Sequence, residues 1–161
     1  MEPLEPPALH QAQAAYGWLE LGNVEEAFAE LQRLPEELQL LPAVQAVRLD
    51  CLMAAKDWNA AVKLAQVLCG QWAEEPGLWL HHAYAARRCA AGSIEAAYEL
   101  LAPCVERFPE EWLIPYNVAC YLCQMERLDE ARAMLEMARA KGGERVDAMA
   151  KDDEDLAPLN L

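Results

Sequence analysis

The chain has 161 residues, which is enough for one domain with a core of its own and too few for two domains of ordinary size. Its 27 acidic and 13 basic residues give a formal net charge of −14, a sign that opposes binding to nucleic-acid phosphates and anionic lipid headgroups. Because 55% of the residues are hydrophobic, wholesale disorder is not expected. Ala, Leu, Glu and Gln are abundant and favour helices, so a single all-helical domain is predicted. The negative charge predicts that this domain has no nucleic-acid partner.

No segment of the sequence is predicted to cross a membrane. The charge-free stretch 113–125 is shorter than the roughly 18 to 20 residues that a spanning helix needs, and it contains Pro115. The first ten residues have neither a basic n-region nor an apolar h-region, so no signal peptide is predicted. We therefore expect a cytoplasmic protein whose six cysteines are reduced and buried.

One short pattern occurs four times along the chain: a bulky apolar residue, two further residues, and then Ala. The copies lie at 24–27, 58–61, 94–97 and 128–131. Successive alanines are 34, 36 and 34 residues apart. The residues directly before the copies are Asn23, Asp57, Ser93 and Arg127, of which the first three are good helix N-caps. Gly22 and Gly92 stand one position earlier, as expected for tight turns, so each copy predicts a turn followed by a helix.

Apolar residues at helical spacing also precede each turn, and prolines follow the second helices. The repeated unit is therefore predicted to be a helical hairpin. The predicted helix pairs are 8–21 with 24–34, 43–55 with 58–70, 77–91 with 94–107, and 113–125 with 128–141.

This hairpin resembles the tetratricopeptide repeat (TPR), a helix–turn–helix module of 34 residues, over residues 8–141. The family has small residues where the two helices cross. At those positions this chain has Ala15, Leu49, Ala85 and Ala119 in the first helices and Ala27, Ala61, Ala97 and Ala131 in the second. The last repeat matches best. The resemblance implies one domain over 1–161, a right-handed α-solenoid with repeats at about 8–41, 42–77, 78–111 and 112–141 and a capping helix or acidic tail at 142–161.

The resemblance also implies a concave groove, lined by the first helix of each repeat, that receives a segment of another protein. The implied groove residues are Tyr16, Leu19, Asp50, Met53, Trp79, His82, Cys89, Tyr116, Asn117, Cys120 and Cys123. None of them is Lys or Arg, so a carboxylate clamp of the kind that binds chaperone C-termini is not expected. The predicted anchors for an apolar segment are Tyr16, Met53, Trp79 and Tyr116. Asn117 is expected either to bond a bound peptide or to cap its own helix.

The sequence therefore predicts a non-enzymatic adaptor or scaffold that binds an apolar peptide or helix of a partner protein, with no cofactor. One narrower alternative is a TPR chaperone of a secretion system. Another is a kinesin-light-chain-like adaptor on a bacterial tubulin-like filament, whose repeats are usually longer than those here. A rival from another class is a thiol or metal protein that uses Cys120 and Cys123, three positions apart on one helix. No phosphate-binding glycine loop and no recognisable catalytic spacing is present.

After Gly142 and Gly143 the chain is predicted to form a short helix that covers the end of the last repeat. The buried side of this helix is predicted to consist of Val146, Met149 and Ala150. The acidic run 152–155 is expected to be solvated, and the acidic excess is expected to disfavour acidic partners. The apolar residues that follow, Leu156, Pro158 and Leu159, are expected to dock either on the fold or in the groove of a neighbouring molecule.

Overall fold

The computed structural model describes residues 4–160. Within that range the secondary structure consists of eleven α-helices and one 3₁₀ helix, without a strand. The first five helices are α1 (Ala8–Glu20), α2 (Val24–Gln32), α3 (Glu36–Gln39), α4 (Pro42–Ala54) and α5 (Trp58–Gln71). The others are α6 (Pro76–Arg88), α7 (Ile94–Leu101), α8 (Cys104–Arg107), α9 (Leu113–Gln124), α10 (Leu128–Gly142), α11 (Glu144–Ala150) and the 3₁₀ helix Glu154–Leu159. The all-helical prediction is confirmed for these residues.

The domain is predicted to extend over 1–161, without a membrane-spanning helix. Residues 1–3 and 161 of the predicted domain lie outside the described residues. Among the helices of 4–160, none is long and apolar enough to cross a lipid bilayer.

The chain divides into two compact units, Met1–Glu74 and Glu75–Leu161. In the first unit α1 packs against α2 and α4 packs against α5, and α4 also contacts α1 and α2. In the second unit α6 packs against α7 and α9 packs against α10, and α9 also contacts α6 and α7. Each predicted helix pair is therefore present as packed helices, but the prediction of one continuous helix over 94–107 was wrong. That stretch forms α7 and α8, which are separated at 102–103, where Pro103 has no backbone N–H to continue the helix. The right-handed solenoid of four TPR repeats in a single domain stays a prediction.

Small side chains lie where the helices of each pair are predicted to cross. The residues at these positions are all completely buried: Ala15, Leu49, Ala85, Ala119, Ala27, Ala61, Ala97 and Ala131. The side chains of all but Leu49 end at Cβ. Since the distance between packed helices depends on the side chains at the contact, these residues allow the paired backbones to approach closely.

Three of the four turns between paired helices have the same geometry. Gly22, Lys56 and Glu126 adopt the left-handed conformation, with φ of 74°, 57° and 61°. The N–H of each donates to the carbonyl three residues back, and the N–H of the next residue donates to the carbonyl five residues back. This is the Schellman motif, which ends a helix by satisfying its last carbonyl groups.

Side-chain caps begin three of the four second helices, as predicted. The side chains and the backbone N–H groups they accept from are Asn23 with Glu26 at 3.2 Å, Asp57 with Ala60 at 3.1 Å, and Ser93 with Ala96 at 3.1 Å. The side chain of Arg127, before α10, makes no such cap. Its guanidinium instead donates to both carboxylate oxygens of Glu130, at 2.7 and 2.6 Å.

The turn between α6 and α7 is the exception. It takes the five residues 89–93, whereas each of the other turns takes three, and this difference accounts for the 36-residue spacing of the alanines. Gly92 lies in this turn without a left-handed φ, and a Cβ atom there would lie 2.0 Å from the carbonyl oxygen of Ala86. Glycine is required at this position by the close approach of the backbone of α6.

We expect Gly92→Ala to lower the free energy of unfolding by about 1 to 3 kcal/mol, because the added Cβ displaces the backbone of α6. Gly77→Ala is the matched control in the same unit: Gly77 lies exposed in α6, and a Cβ added there would have no neighbouring atom within 4 Å. Alanine there should raise the free energy by about 0.5 to 1 kcal/mol. Urea denaturation followed by circular dichroism measures both changes, and equal midpoints for the two variants would contradict the explanation.

Candidate functional site

In the second unit a segment at the end of the chain lies on α9. We call residues 153–160 the C-terminal segment. Its 3₁₀ helix contacts both α9 and α10. Leu156 and Leu159 are buried and belong to the same hydrophobic core as Tyr116, Cys120 and Cys123 of α9. Of the two docking modes predicted for the apolar residues of this segment, the structure shows docking of Leu156 and Leu159 on the chain's own fold, whereas Pro158 is exposed.

Helix α11 leads the chain towards this position. It packs against α10, and its buried residues are Val146 and Ala150, which lie four positions apart on one helix face. The prediction that Met149 shares this face was wrong, because its side chain is exposed. Gly142 allows the close packing at the start of α11, since a Cβ there would lie 2.9 Å from the Trp112 ring.

Asp153 connects the C-terminal segment to α9 through its carboxylate. The hydroxyl of Tyr116 donates to Oδ2 of Asp153 at 2.7 Å, and the thiol of Cys120 donates to the same oxygen at 3.6 Å. The other oxygen, Oδ1, accepts from the backbone N–H of Asp155 at 2.9 Å. Asp153 therefore caps the 3₁₀ helix and fixes it on α9 at the same time.

Asp155 forms a bidentate ion pair with Arg87 of α6. Nη2 of Arg87 donates to Oδ1 of Asp155 at 2.8 Å, and Nη1 donates to Oδ2. The two side chains are only 18% and 27% exposed. The hydrogen bonds and charge of Arg87 hold the pKa of Asp155 below its usual value. Gln124 of α9 adds a hydrogen bond to the backbone carbonyl of Asp155 at 3.1 Å.

Four of the predicted groove residues in the second unit are buried: His82, Tyr116, Cys120 and Cys123. Tyr116 is only 2% exposed. Burial is the main cause that raises the pKa values of Tyr116, Cys120 and Cys123, so their ionised forms are disfavoured. Across residues 4–160, no three His, Cys, Asp or Glu side chains converge in a set able to hold a metal ion.

The remaining predicted residues of the second unit serve its own packing. Asn117 donates from Nδ2 to the carbonyl of Leu113 at 2.8 Å, within its own helix. This bond is not the predicted helix cap, and the contact of Asn117 with a bound peptide stays a prediction. Trp79 is partly buried against the core, and the guanidinium carbon of Arg107 lies 5.5 Å from its ring centroid. Cys89 is the C-cap residue of α6.

In the first unit the predicted groove residues are more accessible. The Tyr16 hydroxyl donates to Oδ2 of Asp50 at 2.9 Å, which joins the first helices α1 and α4. Tyr16 is nevertheless 45% exposed. Partial burial and the charge of Asp50 raise the pKa of Tyr16. Leu19 is partly buried against the core of this unit, and Met53 is partly buried on α4.

Arg87, which holds the carboxylate of Asp155, is not among the residues predicted from the sequence. A signal for it was present, because Arg87 and Arg88 are the only two adjacent basic residues of the chain. The run 152–155 is likewise the only stretch of four consecutive acidic residues. Their opposite charges make the two stretches candidate partners for an ion pair, but charge alone does not select one partner among 27 acidic and 13 basic residues.

Comparisons with known proteins find no family model and no curated protein that matches the chain. Membership of the TPR family stays a prediction. It rests on the repeated residues and the helix pairs that they form.

His82 predicts a pH dependence of stability. It is 7% exposed, and its buried Nδ1 has no hydrogen-bond partner within residues 4–160. Burial lowers its pKa from the ordinary 6.5, so the folded state binds a proton less readily than the unfolded state. The contribution of this group to stability is therefore complete above pH 6.5 and decreases as the pH falls below that value. We expect His82→Leu to reduce the loss of stability between about pH 7.5 and 5.5, measured by urea denaturation; an unchanged slope would contradict this.

The ion pair between Arg87 and Asp155 is expected to stabilise the docked segment. Because both groups are mostly buried, a double-mutant cycle with Arg87→Ala and Asp155→Ala should give a coupling energy of about 1 to 2 kcal/mol. The coupling should vanish as the pH falls below 3.8, where Asp155 becomes protonated in the unfolded state and then in the folded state. Additive effects of the two substitutions at neutral pH would show that the pair contributes nothing.

Proposed function

We propose that this protein is a non-enzymatic adaptor of the TPR type, in which the faces of the first helices, α1 and α4 in the first unit and α6 and α9 in the second, bind segments of another protein. One observation carries the proposal. Helix α9 already binds a short segment from a distant part of the chain, through two buried leucines and a set of directed hydrogen bonds. A face that holds such a segment has the chemistry that peptide recognition requires.

The packing within the helix pairs supports the same proposal. Completely buried alanines at the crossings and Schellman turns between the helices are the features expected of short helical hairpins built for repetition. Both narrower roles, a secretion-system chaperone and an adaptor on a tubulin-like filament, are forms of this activity.

The first unit offers an accessible face for a partner. Tyr16 presents an aromatic ring of which nearly half is exposed, and the carboxylate of Asp50 fixes the position of its hydroxyl. Aromatic side chains held in place by a hydrogen bond lose little conformational entropy on binding and are common interface anchors.

The thiol alternative has less support. A reactive or metal-binding cysteine needs an accessible thiolate, whereas Cys120 and Cys123 are buried and the pKa values of both are raised.

Site-specific photocrosslinking in the cells that make the protein tests this proposal. A photoreactive phenylalanine in place of Tyr16 on α1 should yield a covalent adduct with another protein. The same residue in place of Val67, which is 54% exposed on the second helix α5 of the same unit, is the matched control and should yield at least about tenfold less adduct. Equal adducts from both positions, or none from Tyr16, would refute the assignment of binding to the first helices.

A further inference from the structure

The contacts that hold the C-terminal segment define a short chemical pattern. Two carboxylates, Asp153 and Asp155, lie two positions apart and accept from Tyr116 and Arg87. Two buried leucines follow, the first directly after Asp155 and the second three positions later. The pattern is therefore Asp-x-Asp-Leu-x-x-Leu, and any chain with these groups at this spacing is able to make the same contacts.

The segment depends on docking for its conformation. Its 3₁₀ helix has six residues and contains Pro158. A 3₁₀ helix of this length is not stable in isolation, because few hydrogen bonds offset the entropy of ordering the chain. Only residues 151–153 lie between α11 and the 3₁₀ helix. The contact between α9 and α10 is made by the two helices themselves and does not involve the segment.

The charge on Arg87 determines what is able to replace the segment. With a side chain only 18% exposed, Arg87 would be left partly buried and unpaired if an entirely apolar ligand occupied α9. The hydroxyl of Tyr116 would also lose its acceptor. A replacement must therefore bring carboxylates, which reverses the expectation that the acidic chain disfavours acidic partners.

We propose that the C-terminal segment is a built-in competitor, and that an acidic segment of a partner protein with the pattern Asp-x-Asp-Leu-x-x-Leu takes its place on α9. This inference rests on the proposed function and specifies the chemistry of the partner. A tethered ligand has an effective concentration on the order of millimolar. The segment therefore sets a minimum affinity for α9, and weakly or nonspecifically binding acidic peptides do not displace it.

The test uses the full-length chain and a fluorescent peptide that keeps the two aspartates and two leucines of the pattern and has alanine elsewhere. Leu156→Ser combined with Leu159→Ser releases the C-terminal segment. Ala157→Ser is the matched control, because Ala157 lies exposed in the same segment. Fluorescence anisotropy then measures the affinity of the peptide for each form.

We expect the peptide to bind the double variant at least about tenfold more tightly than it binds the wild type or Ala157→Ser, because the competitor is absent. Adding Arg87→Gln to the double variant should weaken binding at least about tenfold, and so should asparagine in place of both aspartates of the peptide. Equal affinity for the wild type and the double variant would overturn the proposal. Insensitivity to the charge changes would overturn it as well.

A measurement on the wild type keeps the test valid if the double variant does not fold. Excess peptide should accelerate hydrogen exchange at the N–H groups of Leu156 and Asn160, which donate to Asp153 and Ala157 in the docked segment. Exchange in α10 should stay unchanged. Unaltered exchange at Leu156 and Asn160 under saturating peptide would contradict displacement. If the wild type forms dimers and the double variant does not, the C-terminal segment of one molecule binds α9 of a second copy. That result would overturn the proposal of a foreign partner.

The two proposals fail separately. Tyr16 lies in the first unit, whereas the peptide binds α9 in the second. If Tyr16 gives an adduct and the peptide does not bind α9, the proposed adaptor function stands, and the proposal that the C-terminal segment is a competitor is overturned.

Discussion

Close contact between the two helices of each hairpin is the constraint on which the other features depend. Completely buried alanines at the predicted crossings allow the paired backbones to approach closely. In three of the four hairpins, a turn of only three residues connects the two helices. This packing fixes how each first helix is rotated. In α9 it places Tyr116, Cys120 and Cys123, at positions i, i+4 and i+7, on the face that contacts the C-terminal segment. The site is therefore a consequence of how α9 packs on α10.

The ion pair on this face shows why net charge is a poor guide to a local site. A chain with a formal charge of −14 repels acidic ligands at long range, but salt screens that repulsion beyond about 10 Å. At contact distance the partly buried guanidinium of Arg87 interacts with a carboxylate in surroundings where water screens little. Two carboxylates of the acidic run, those of Asp153 and Asp155, therefore have directed partners, whereas Asp152 and Glu154 are exposed as predicted.

The two units present different surfaces as a result. In the second unit the face of α9 is covered, and Tyr116, Cys120 and Cys123, which were predicted to meet a partner, are shielded from water. In the first unit Tyr16 remains accessible beside Asp50. Covering the face of α9 protects it from nonspecific association, since exposed apolar patches promote aggregation.

Elements that depend on contacts between near neighbours were predictable from the sequence alone. The second helices begin at the predicted Val24, Trp58, Ile94 and Leu128, because capping bonds join residues three positions apart and Schellman turns span six. Which of the predicted groove residues are exposed depends instead on packing between segments that are far apart in the chain. Arg87 and Asp155 are 68 positions apart and Tyr116 and Asp153 are 37 apart, so no periodic pattern connects them. Their pairing depends on where packing places α6, α9 and the C-terminal segment in space, and sequence spacing carries no information about that distance.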